Sequence, residues 1–293
     1  MDNSINKPQQ SAGEKGLKSF MRQHPLFSFF FLAYVISWIL TIPFILSEWG
    51  LLPGNMAALF ALKSFGPFAA AFIMIGLLEG KEGVKRFRRQ IRAKQGSWKW
   101  YLLILLGIPA LIILGIAVQP GRMAGFLGLS PLLLISYPIY FVAVFFGGGP
   151  LGEEPGWRGF ALPRMQKRYG PLAGTLLLGL LWTCWHLPDF LTSAQGGGPG
   201  TGWSAFLTNF PVFLALVMSL AVLFTWLYNR NNSSVFMLLL AHASVNTPQV
   251  VLVPLFPAVD TTSLNLAALL GFGVTALLVL IFTRGRLGVQ AEN

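Results

Sequence analysis

Apolar residues fall in blocks of about twenty along this chain, the length a helix needs to cross the hydrocarbon core of a bilayer. Eight blocks stand out, at about 27–47, 56–78, 100–119, 130–151, 171–190, 205–228, 233–256 and 263–283. The pattern predicts an all-α fold, a polytopic transmembrane helix bundle of eight spans. Residues 1–25 read as a cytoplasmic polar tail, 26–285 as the membrane domain and 286–293 as a second cytoplasmic tail. The first tail has no apolar region near its start, so the first helix is expected to be an uncleaved anchor rather than a signal peptide. The stretch 192–204 (TSAQGGGPGTGWS) reads as a flexible outside loop. No internal repeat and no second domain boundary interrupts this layout.

Composition strengthens the membrane reading. The 293 residues are 54% hydrophobic and only 11% charged, whereas an ordinary soluble domain is about 25% charged. That excludes a normal soluble enzyme and a disordered chain. The single cysteine, Cys184, excludes a disulfide scaffold. The net charge of +11 would suggest nucleic acid in a soluble protein, but no zinc finger, P-loop or aromatic RNP pattern accompanies it, and no nucleic-acid partner is expected. Here the basic residues report topology. With the N-terminus inside, every Lys and Arg falls on the cytoplasmic side except Arg122, which lies outside, and Lys63, which lies within the second block. The C-terminus is then also cytoplasmic. The basic segment 81–99 interleaves Phe87, Ile91 and Trp98. It reads as a topology-fixing loop or as an interfacial helix on anionic lipid.

An ionisable group inside the hydrocarbon costs about 2.5–3.5 kcal/mol on insertion scales, so such residues pair, face a wet cavity or do chemistry. At membrane depth the chain carries Lys63, Glu153, Glu154, His186, His242 and Asn246. Lys63 is expected to snorkel or to pair with a buried acid. Glu153 and Glu154 follow the backbone break Gly147–Pro150. Glu154 and Arg158, four apart, share a helix face and can pair. Two adjacent carboxylates cannot both ionise cheaply in a low dielectric, and a carboxylate so tuned serves as a general base. The plainer reading is an interfacial acid pair that neutralises Arg158. His242 and Asn246 also stand four apart on one face, as catalytic groups or as interhelical hydrogen-bond glue. His186 follows a cluster of aromatic residues at 182–185 and can equally be a histidine satisfied at the interface.

Hairpin geometry links two of these patterns. Glu153 and His186 lie at equal chain distances from a turn near Gly170-Pro171, so an antiparallel hairpin sets them at similar height. The arm from Glu153 to that turn would measure ~23 Å as straight helix, and Pro163 is expected to break it. His242 is expected ~14 Å below the cytoplasmic surface. A site sunk that far and open to the cytosol can collect all four groups. Asp189 and Asp260 are read as lying at the outer ends of helices, which leaves no mid-membrane aspartate pair.

Together these residues resemble the CPBP family of intramembrane proteases (CAAX protease and bacteriocin-processing, Rce1-like or Abi). The family pattern of EExxxR, FxxxH and HxxxN corresponds here to Glu153-Glu154…Arg158, Trp182…His186 and His242…Asn246. Trp182 stands where the family usually has Phe. The protease-like core is then about 130–256. The resemblance implies that Glu153 activates a water, that His186 holds it directly or through a metal, and that His242 and Asn246 donate to the oxyanion. It assigns Glu154 and Arg158 a supporting role. It leaves open one divalent metal, Zn being the first candidate, held by Glu153, His186 and His242; were all three ligands, Glu154 would have to be the base. No HExxH helix is present.

The resemblance implies an intramembrane endopeptidase, a hydrolase of the CAAX or bacteriocin-leader type and a metalloprotease in the metal-bound version. Its partners would be a membrane-associated protein or peptide substrate, lipidated in the CAAX case, and the lipid bilayer. A multi-pass protein of the cell membrane is expected, a prokaryotic plasma membrane being favoured. The rival readings are a non-catalytic membrane scaffold or bacteriocin self-immunity protein of the same fold and, less well matched, a secondary transporter.

Overall fold

The apolar blocks become helices because a chain in lipid must satisfy its own backbone hydrogen bonds. In the computed structural model, residues 16–147 and 149–289 are described, and 80% of these described residues are helical. Residues 1–15 and 290–293, the outer parts of both expected tails, and Gly148 of the expected break lie outside the described residues. Among the described residues there is no β-strand.

A short α1 (Leu17–Gln23) leads into the long α2 (Pro25–Glu48). Two helices, α3 (Ala57–Leu62) and α4 (Phe65–Arg92), follow the next loop. Helix α5 (Trp98–Leu102) runs through a π-helical turn, Leu103–Gly107, into α6 (Ile108–Ala117). Then come α7 (Pro131–Gly147) and α8 (Gly149–Glu154). A second π-helical stretch, Pro155–Ala161, joins α8 to α9 (Leu162–Tyr169). Helix α10 (Pro171–Trp185) returns antiparallel to it. The bundle closes with α11 (Gly202–Arg230), α12 (Val235–Val251) and α13 (Thr261–Thr283).

Among the described residues six helical runs are long and apolar enough to cross a membrane, including Pro25–Glu48, Gly202–Arg230 and Thr261–Thr283. Two of the eight expected blocks do not form such runs. The block at 56–78 is divided between α3 and α4 at Lys63-Ser64. The block at 171–190 forms a 15-residue α10 that stops at Trp185, ~22 Å of helix against a core of about 30 Å. The expected break at Pro163 is also absent. Pro163 sits in the first turn of α9, and the π-helical stretch before it absorbs the irregularity.

Small residues set the close crossings that place the site. Gly152 and Gly156 lie one turn apart against the start of α4. A Cβ at Gly152 would come 2.5 Å from the Ser64 carbonyl oxygen, and one at Gly156 would come 2.6 Å from that of Pro67. This small-xxx-small contact presses the helix carrying Glu153 and Glu154 onto the α3–α4 break. Gly115 does the same for α6 against Ala267 of α13.

Exposed apolar surface is extensive. Helix α7 buries none of its described side chains, with Leu132, Ile135 and Ile139 fully presented outward. A face of that size suits lipid. The basic segment behaves differently from its interfacial reading. Gly80 (φ 64°) kinks α4, and beyond it Phe87 and Ile91 turn into the protein core while Lys85, Arg88 and Arg89 face out. Phe87 packs against Gly159 and Ile91 is buried in the same core, while Trp98, the third apolar residue of the segment, stays exposed.

Candidate active site

The paired acids of α8 point to different partners. Glu153 is 4% exposed, and its Oε2 accepts hydrogen bonds from the indole N–H of Trp182 (2.8 Å) and of Trp157 (3.3 Å). Glu154 is fully buried, and its Oε1 accepts from Arg158 Nη1 (2.9 Å) and lies 2.8 Å from His242 Nδ1. The Arg158 guanidinium is itself fully buried between the rings of Trp182 and Phe224, 4.1 and 4.9 Å from their centroids. The expected i,i+4 pairing of Glu154 and Arg158 is therefore present. It persists through a π-helical stretch, a feature often found where helices serve function.

Gly149 marks the place where three of the expected residues converge. A Cβ added there would lie 2.8 Å from Asn246 Nδ2, 3.7 Å from His242 Nε2 and 3.8 Å from Glu153 Oε1. The absent side chain leaves a cradle faced by an acid, an imidazole and an amide. His242 and Asn246 reach it together because they share one face of α12. His242 turns Nδ1 to Glu154, so Nε2 is the nitrogen left for the cradle.

His186 joins by a different route. It caps the C-terminus of α10, and the Trp182 ring stands between the imidazoles, with centroid distances of 6.4 Å to His186 and 5.8 Å to His242. Its Nδ1 lies 2.9 Å from Asp189 Oδ2. Asp189 is not at an outer helix end as its sequence position suggested. The turn Leu187–Leu191 folds it inward to 4% exposure, where it also binds the Lys63 ammonium. Lys63 therefore pairs with a buried acid rather than snorkelling.

The site contains groups that sequence reasoning passed over. Trp182 was an aromatic exchange; its indole N–H is the shortest contact to Glu153. Trp157 was not singled out, and Asp189 was placed at an outer helix end although it stands three residues after His186, one helical turn away. Lys63 was visible as a charge in an apolar block, without its partner.

Among the described residues no group of three or more His, Cys, Asp or Glu is placed to hold a metal ion. Both imidazoles turn Nδ1 to carboxylates, the partner that orients a histidine for work at Nε2, and Glu153 gives Oε2 to two indoles. No step is therefore assigned to a metal.

Residues 135–248 match the family described as type II CAAX prenyl endopeptidase Rce1-like. Over that segment the chain is similar to the Rce1-like family. The matched segment holds Glu153, Glu154, Arg158, His186, His242 and Asn246. Over 214 residues the chain is also 24% identical to a CAAX prenyl protease 2 of Methanococcus maripaludis, covering 68% of this chain and 70% of that protein. Multiple apolar helices and this likeness to a membrane protease family make the protein a multi-pass membrane protein.

Proposed function

We propose that this protein is an intramembrane endopeptidase of the CAAX type that hydrolyses a peptide bond with a water activated by Glu153. The observation that carries the reading is the convergence of Glu153 Oε1, His242 Nε2 and Asn246 Nδ2 over Gly149. Glu153 takes a proton from the water as its oxygen attacks the peptide carbonyl carbon. The oxyanion then receives hydrogen bonds from Asn246 Nδ2 and from His242 Nε2. Collapse of the tetrahedral intermediate breaks the C–N bond, and Glu153 returns the proton to the leaving nitrogen. His186 holds the attacking water. Glu154 is spent on Arg158 and His242, which favours Glu153 as the base.

The reading includes the eight-span topology with both termini cytoplasmic, α4 and α10 completing the crossings, and a site open to the inner leaflet of a prokaryotic plasma membrane. The name of the Methanococcus relative supports a lipidated, membrane-associated protein as substrate.

The test is terminal-peptide mapping of membrane proteins from cells carrying the wild type or Glu153→Ala. Termini that disappear with Glu153→Ala support the proposal; identical profiles overturn it. Cleavage that survives chelation supports the direct water mechanism, and loss restored by Zn²⁺ overturns that part.

A further inference from the structure

A buried ammonium group needs a partner. Lys63 ends α3, and its side chain is 7% exposed. Its Nζ donates to Asp189 Oδ2 and lies 4.7 Å from the Trp185 ring centroid and 4.6 Å from that of Phe60. The same Oδ2 faces His186 Nδ1 at 2.9 Å. Helix α2 braces both ends of this chain of contacts. Ser37 Oγ donates to the Lys63 carbonyl (2.7 Å), and Trp38 Nε1 donates to the Trp185 carbonyl (3.0 Å).

The chemistry of such a chain is specific. A neutral imidazole carries one proton, and the partner of one nitrogen decides which nitrogen holds it. Lys63 donates to Asp189 Oδ2, so that oxygen is an acceptor, and the same oxygen facing His186 accepts from Nδ1–H and leaves Nε2 without a proton.

We propose that Lys63 and Asp189 are positioning residues that hold His186 in its Nδ1–H tautomer, so that Nε2 accepts a hydrogen bond from the attacking water. The catalytic half of this statement rests on the peptidase reading above; the tautomer half does not. Asp189 lies inside the segment matched to the Rce1-like family and Lys63 outside it, so the second member of the pair is recruited by the fold.

The experiment labels the histidine rings of the full-length protein with ¹⁵N in detergent micelles. The chain has three histidines, and substitution of each in turn assigns the signals. Wild-type His186 is expected as Nδ1–H, and Asp189→Ala is expected to admit the Nε2–H form. A wild-type His186 protonated on Nε2 overturns the proposal, whether or not the protein cleaves peptides. For the catalytic half, the probe is a synthetic peptide spanning a Glu153-dependent terminus from the mapping above. Asp189→Ala is expected to lower kcat about 10²-fold or more with KM nearly unchanged. Asp189→Asn, whose carbonyl oxygen can accept from both Lys63 and His186, restores about a tenth or more of the lost rate and keeps the tautomer. The double variant Lys63→Met/Asp189→Ala is no slower than Asp189→Ala alone, as expected of residues that act as one unit. Additive losses, or an Asn variant as slow as the Ala variant, overturn it.

Discussion

Two sets of side chains in this molecule repeat one arrangement: a buried cation, a carboxylate and the Nδ1 of an imidazole. In one, Arg158 and His242 meet at Glu154 Oε1; in the other, Lys63 and His186 meet at Asp189 Oδ2. They differ in which pair is local. Glu154 and Arg158 are neighbours on one helical run and His242 arrives from α12. His186 and Asp189 are neighbours around the end of α10 and Lys63 arrives from α3. They differ also in enclosure. Glu154 and Arg158 are fully buried, whereas the His186 side chain keeps 17% of its surface exposed. The first set is therefore part of the packed core as well as of the site. The second stands where solvent can reach, and it is the one whose imidazole is assigned the water.

The comparison breaks first at the cations. Arg158→Met leaves a fully buried Glu154 with His242 alone and is expected to cost about 3–5 kcal/mol of stability. Lys63→Met should cost less, because the set it leaves, with His186 17% exposed, is less enclosed. Unfolding of the two variants in detergent measures this, and equal losses would erase the distinction in enclosure. Next is the amide that only the His242 side possesses. Asn246→Ala should lower kcat by about 10²–10³-fold while KM holds, as loss of an oxyanion donor does. A raised KM with unchanged kcat would reassign Asn246 to ground-state binding. Gly149→Ala puts a methyl into the cradle between Asn246, His242 and Glu153 and should slow turnover by about 10–10²-fold through displaced geometry. An unaffected rate would move the reaction away from that point. Smallest is Trp182→Phe, which keeps a ring between the two imidazoles but removes the N–H donated to Glu153. A hydrogen bond to a charged group contributes about 1.5–3 kcal/mol, and the retained Trp157 contact should hold the effect near the lower end, about tenfold in kcat.

Much of this site was legible because helices impose fixed spacing. Glu154 with Arg158, and His242 with Asn246, sit four apart, so local geometry alone puts each pair on one face. The equal chain distances of Glu153 and His186 from the Gly170-Pro171 turn likewise anticipated an α9–α10 hairpin, which forms. The eight-block count was less secure. Mean apolarity cannot distinguish one spanning helix from two short ones, and a Lys-Ser step between α3 and α4 divided a block that composition treats as continuous. Pro163 was misjudged because the π-helical stretch Pro155–Ala161 before it already departs from the regular hydrogen-bond ladder, and the helical run continues through it to Tyr169.

The order of the chain by itself determined that this is a helical membrane protein, and that Glu154 shares a helix face with Arg158 and His242 with Asn246. Runs of apolar residues and a period of 3.6 are local properties, readable without any partner. Only the tertiary structure decided how the two carboxylates divide their labour, that an indole N–H serves Glu153, and that Lys63 finds Asp189 across 126 positions. Those outcomes depend on close crossings such as Gly152 and Gly156 against Ser64 and Pro67. A buried charge has to find its opposite, and which opposite lies within reach is set by helix packing rather than by spacing along the chain.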